Sequence, residues 1–125
     1  MSAPRMLVVD DSPLLRRFIE RFLSDEFTVE TAADGAAAIE YLALGKTYDV
    51  LLVDLAMPAV GGRELYDVVR GRFPAMLERI VFVTGGALSN EDHVFLREVA
   101  NAVVQKPFDN DALRGVIRRA AGLTT

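Results

Sequence analysis

The stretch that most constrains the fold is Val50, Leu51, Leu52 and Val53, four consecutive aliphatic residues that end on Asp54. A strand with one wet face alternates polar and apolar residues. An unbroken apolar run needs cover on both faces, and a parallel sheet flanked by helices supplies it. The same kind of run recurs at Met6, Leu7, Val8 and Val9, at Ile80, Val81, Phe82 and Val83, and in shorter form at Ala102, Val103 and Val104. Residues 27–31 alternate instead, which assigns that strand to a place nearer the sheet edge.

Helical spacing fills the intervals. Leu14/Leu15, Phe18/Ile19 and Phe22/Leu23 share one face, with Arg16, Arg17, Glu20 and Arg21 opposite, behind a Ser12 cap and Pro13 in the first helical position. Asp34 and Gly35 open a second helix through Ile39, Tyr41 and Leu42, which Gly45 stops. A third carries Leu65, Tyr66, Val68 and Val69 and ends before Pro74. Ser89 and Asp92 form a capping box for a fourth through Val94, Phe95 and Val99, and Asp109 caps a fifth with Leu113, Val116, Ile117 and Ala120 on one face.

Strand and helix alternating five times imply right-handed crossovers and a parallel sheet covered on both sides. The expected class is α/β, a flavodoxin-like (βα)5 three-layer sandwich with strand order 2-1-3-4-5, the usual solution for this count. At 125 residues the chain is expected to form a single domain over 1–125.

Charge and residue usage then exclude several classes of function. A formal net charge of −4 lacks the basic footprint of direct nucleic-acid binding. Cysteine is absent, which removes disulfides and thiolate metal sites and leaves all-oxygen sites open. The amino terminus offers only a short apolar run before two acids, too little for a signal-peptide core or a membrane span, so a cytoplasmic location is expected.

The informative coincidence lies at the strand ends. Asp10 and Asp11, Asp54, Thr84 and Lys106 each follow or close a predicted strand, and in a parallel sheet those ends share one rim. In the 2-1-3-4-5 order the first and third strands are neighbours, which gathers the three acids. Their mutual repulsion calls for compensating charge, one unit from Lys106 and two from a divalent cation. An all-oxygen site with room for water and phosphate suits Mg²⁺ better than Zn²⁺. Such a rim suits phosphoryl transfer to a carboxylate, giving an acyl phosphate on Asp54.

Asp10–Asp11, Asp54 with Met57, Pro58 and Gly62, Thr84, and Lys106 with Pro107 and Phe108 together resemble the signature of the receiver domain of two-component response regulators. That resemblance implies Asp54 as phosphoacceptor, with Mg²⁺ held by Asp11, Asp54 and the Ala56 carbonyl and by Asp10 chiefly through water. It implies Thr84 and Lys106 on the phosphoryl oxygens, a cis peptide between Lys106 and Pro107, and a histidine kinase or phosphotransfer protein as donor. It further implies an output partner or fused effector or kinase domain, a monomer or weak dimer, and a readout face around the fourth helix, fifth strand and fifth helix. The run Thr84, Gly85, Gly86, Ala87 is similar to receivers of hybrid sensor kinases.

One position departs from the pattern. Val103 stands where many family members carry a switching aromatic residue, so Thr84 is left as the moving part of the switch. Ala56 and Gly86 are small, which predicts ready access of water to an acyl phosphate. Two other classes of function compete with this reading. A scaffold lacking phosphorylation is disfavoured by the intact set of acids, Thr84 and Lys106. An aspartyl phosphohydrolase is disfavoured by Ala56, where haloacid-dehalogenase-like enzymes place a second Asp. His93, the Gly45-Lys46-Thr47 fragment and the pairs Arg16/Arg17 and Arg118/Arg119 read as surface features.

Overall fold

The computed structural model describes residues 3–86 and 88–123, so Ala87 of the Thr84–Ala87 run lies outside it, as do two residues at each end. The elements run β1 (Arg5–Val9), α1 (Pro13–Leu23), β2 (Thr28–Ala32), α2 (Gly35–Ala43), β3 (Val50–Asp54), α3 (Gly62–Arg72), a 3-10 helix (Pro74–Arg79), β4 (Ile80–Thr84), α4 (Asn90–Glu98), β5 (Val103–Gln105) and α5 (Asn110–Ala120). The strands form one parallel sheet in the order β2-β1-β3-β4-β5. This is the flavodoxin-like sandwich expected from the apolar runs.

Alternation along the strands divides the core into two layers. Leu7, Val9, Leu51, Val53, Ile80 and Phe82 pack with Ala38, Leu42, Leu65 and Val69 of α2 and α3. Met6, Val8, Val50, Leu52, Val81 and Val83 pack with Ile19 and Leu23 of α1 and Leu113 and Ile117 of α5. All residues of β3 and β4 are buried, which is why those runs contain no polar interruption until Asp54 and Thr84. Each aliphatic side chain so buried contributes about 1.5–3 kcal/mol relative to an exposed one.

The caps follow the sequence. Ser12, Asp34, Ser89 and Asp109 each accept a hydrogen bond from the N–H three residues on. Gly45, with φ of +90°, terminates α2 in the left-handed conformation that glycine favours.

Some details differ from expectation. α4 ends one residue early, with Val99 as its C-cap. β5 is shifted by one residue, to Val103–Gln105, and lies at the sheet edge with β4 as its single neighbour. The 3-10 turn after α3 was not expected: Pro74 starts it, Met76 is buried beneath it, and Arg79 donates to the Tyr48 carbonyl at 2.8 Å.

Candidate functional site

The adjacency of β1 and β3 brings Asp10 and Asp54 to the same edge, where the strand order reverses direction. Val9 pairs with Val53, so the next residue on each strand emerges at the same level. Asp10 and Asp54 are 2% and 6% exposed, whereas Asp11, one residue further into the turn, is exposed. Carboxylate oxygens of all three lie within 4.8 Å of one another.

Hydrogen bonds fix two of the acids. Asp10 Oδ1 accepts from the Ser12 N–H at 2.8 Å, and Oδ2 accepts from Lys106 Nζ at 3.4 Å. Asp54 Oδ1 accepts from the Ala56 N–H at 3.1 Å, and its Oδ2 lies 3.6 Å from Lys106 Nζ. Burial, reinforced by the neighbouring Asp10 charge, pushes the Asp54 carboxyl up to about 6, against the opposing pull of Lys106 and the Ala56 N–H.

Lys106 reaches the acids from the loop after β5. Its N–H donates to the Thr84 carbonyl at 2.7 Å, which continues the β4–β5 ladder, and the Lys106–Pro107 peptide is cis, as the family resemblance implied. Gly85 has a specific role beside it: a Cβ there would sit 3.0 Å from Lys106 Cδ, so the glycine gives the lysine stem its path. Thr84, 5% exposed, closes β4 beside β3, one position beyond the Val83–Asp54 pair.

The donor set fits a hard divalent cation. It is all oxygen, and 4.8 Å is close to the roughly 4.2 Å across an octahedron of ligands at about 2.1 Å. The Ala56 carbonyl belongs to the turn directly after Asp54, whose N–H already bonds that carboxylate.

Two arginines depart from the surface reading. Arg16 is half-buried and donates to the Asp10 carbonyl at 2.7 Å, and Arg118 pairs with Glu26. Helical periodicity placed both on polar faces but carried no information about what the neighbouring loops present to them. His93 is exposed, as expected, and Gly45, Lys46 and Thr47 lie in the exposed connection after α2, remote from a phosphate-binding turn.

Comparison with known proteins assigns the family. The model of the response regulator receiver domain matches residues 6–118. The chain belongs to that family. Among its relatives, the receiver chain is 33% identical over 119 residues to response regulator ArlR of Staphylococcus epidermidis, covering 91% of this chain and 52% of that protein. It is 32% identical over 122 residues to hybrid signal transduction histidine kinase D of Dictyostelium discoideum, covering 98% of this chain and 8% of that one. Chemotaxis protein CheY4 of Vibrio cholerae superimposes with a TM-score of 0.78 at 28% identity, over 95% of this chain and 99% of that chain.

The receiver chain thus spans at most about half the length of the curated relatives just named. Receiver domains act in two-component signalling, with histidine kinases or phosphotransfer proteins as partners and often fused to other domains. Among the described residues, no helix is long and apolar enough to cross a membrane.

Proposed function

We propose that this receiver chain is a phosphoacceptor switch, with residues 1–125 acting as one unit and Asp54 as the phosphorylated residue. The observation that carries the reading is the convergence on Asp54: a buried carboxylate beside two further acids, with one ammonium within 3.6 Å. A carboxyl titrating near 6 is mostly ionised at neutral pH and, being largely desolvated, is a competent nucleophile. In the transfer, the phosphorus–nitrogen bond of a donor phosphohistidine breaks as a phosphorus–oxygen bond to Asp54 forms. The released imidazole takes a proton from solvent.

Asp10, Asp11, Asp54 and the Ala56 carbonyl would hold Mg²⁺, which supplies charge neutralisation for the transferring oxygens when bound. Lys106 Nζ would stabilise the same oxygens, and the Thr84 hydroxyl would donate to them. Ala56 and Gly86 are both exposed, so water reaches the acyl phosphate and the chain catalyses its own dephosphorylation. Beside the rim, α1 presents Leu14 and Phe18, 76% and 41% exposed, as an apolar approach surface for the donor protein.

The readout is a population shift of α4, β5 and α5. Phe82, two residues before Thr84 on β4, meets Phe95 of α4 edge-on with ring centroids 5.3 Å apart. Movement of Thr84 toward a phosphoryl group therefore has an aromatic route to α4 that does not need Val103. An output partner or a fused domain would read that change. The chain works in the cytoplasm as a monomer or weak dimer without contacting nucleic acid.

Incubation with acetyl phosphate and Mg²⁺ tests the reading. Intact-protein mass should rise by one phosphate, and Asp54→Asn or chelation of the metal should abolish the adduct. An unchanged adduct in Asp54→Asn would move the acceptor elsewhere, and sustained turnover of phosphoesters would make the chain a hydrolase.

A further inference from the structure

Of the three acids at the rim, Asp11 is anchored least. The ammonium of Lys106 reaches Asp10 and Asp54, and main-chain N–H groups hold an oxygen of each. Among the described residues, no hydrogen bond or ion pair holds the Asp11 carboxylate, and the residue is exposed. Its orientation toward the other two therefore depends on the backbone, and above all on the Asp10–Asp11 peptide.

That peptide is gripped by Arg16. The Asp10 N–H donates to the Ala32 carbonyl at 3.1 Å, and the Asp10 carbonyl accepts from Arg16 Nη1 at 2.7 Å. Arg16 stands in the fourth position of α1, and helical side chains lean toward the N-terminus, which carries its guanidinium back over the turn. A cation close to a helix N-terminus opposes the helix dipole. Here the carbonyl and the acids beyond it offset that cost.

We propose that Arg16 is a positioning residue, fixing the Asp10–Asp11 peptide so that the Asp11 carboxylate stays turned into the cation site. The proposal rests on the reading that the acids hold a divalent cation. Residues that orient metal ligands typically govern about 10–100-fold in affinity, which sets the expected size.

Mg²⁺ titrations of the wild type, Arg16→Met, Arg16→Lys, Asp11→Asn and the Arg16→Met/Asp11→Asn double variant test it. Methionine keeps the apolar stem and removes the donor, and should weaken Mg²⁺ binding by about tenfold. Lysine can donate to the same carbonyl and should restore most of the loss. In the Asp11→Asn background the methionine substitution should add less than about twofold, the mark of residues acting through one another. Unchanged affinity in Arg16→Met, or the same loss with and without Asp11, would overturn the proposal.

Amide exchange in metal-free protein keeps the two readings apart. Faster exchange at Asp11 and Ser12 in Arg16→Met, in a protein whose wild type takes up no Mg²⁺, would remove the cation site while leaving the bracing intact. Unchanged exchange there would remove the bracing. If the methionine variant does not fold, Arg16→Leu, which also lacks a donor, takes its place with the same expectations.

Discussion

The carboxyl ends of β1, β3 and β4 and the edge formed by α4 and β5 are held in different ways. At the first, every residue of β3 and β4 is buried, and the acids emerge from a fully covered sheet. At the second, α4 buries no residue and β5 has one neighbour and an exposed Val103. The helix is secured by Phe95 against Phe82 and Tyr66 and by Arg63 paired with Asp92 at 3.0 Å and Glu91 at 3.4 Å, and the connection after it by Asn101 donating to the Leu77 and Ile80 carbonyls. Chemistry on a carboxylate requires fixed geometry, and a readout requires an element that moves at modest cost. The sandwich supplies both by placing dense packing under the site and sparse packing beside it.

Phe82 joins the two regions, so its removal should have the largest effect. It is fully buried and touches aromatic rings of both α3 and α4. Phe82→Ala should cost about 3–5 kcal/mol in denaturant unfolding. A loss below about 1 kcal/mol would mean that α4 and the sheet are energetically separate and that the aromatic route carries little.

What the sequence disclosed follows the same division. Buried strands announce themselves because cover on both faces forbids polar residues, so β1, β3 and β4 and the polar residues at their ends were legible without coordinates. β5 has three residues and one neighbour, and its boundary moved by one. The turn at Pro74–Arg79 was invisible because a proline signals where a helix cannot continue and says nothing of what replaces it. Arg16 and Arg118 were misread for a related reason. Periodicity assigns a face, whereas the Asp10 carbonyl and the Glu26 carboxylate that meet them come from other segments. The role of Gly85 as a passage for Lys106 had no local signal, since the lysine lies 21 positions later in the sequence.

A second prediction concerns the tight region alone. The native Asp54 carboxyl, near 6, titrates above the value of about 4 for an unfolded chain. Between those limits the native state binds the proton more strongly, so metal-free stability should fall as pH rises from about 4 to 6 and stay reduced above. Asp54→Asn removes the buried charge. It should be more stable than wild type at pH 8 by on the order of 1–2 kcal/mol, with the difference vanishing toward pH 4. Denaturant midpoints at the two pH values, without divalent cation, measure this; equal midpoints at pH 8 would show that the acids are not in conflict. Mg²⁺ should narrow the pH 8 gap by stabilising the wild type.

The smallest effect on stability is expected in the loose region, where it should be the most local. Arg63 projects from the first turn of α3, one residue beyond Gly62, which lies so close to Leu55 that a Cβ would stand 2.9 Å from the Leu55 Cα. The arginine therefore links the turn behind Asp54 to Asp92, the residue that also closes the capping box of α4. Both its ion pairs are partly solvated, so Arg63→Met should change global stability by less than about 1 kcal/mol. Local opening of α4 has little burial opposing it and should respond more. Amide exchange in residues 90–98 should accelerate severalfold while β3 and β4 keep their wild-type protection, and added salt should reproduce part of the change in the wild type by screening the same pairs. Acceleration spread evenly over the sheet would mean that α4 opens only with the whole domain, and the contrast between a rigid site and a mobile reporter would fail.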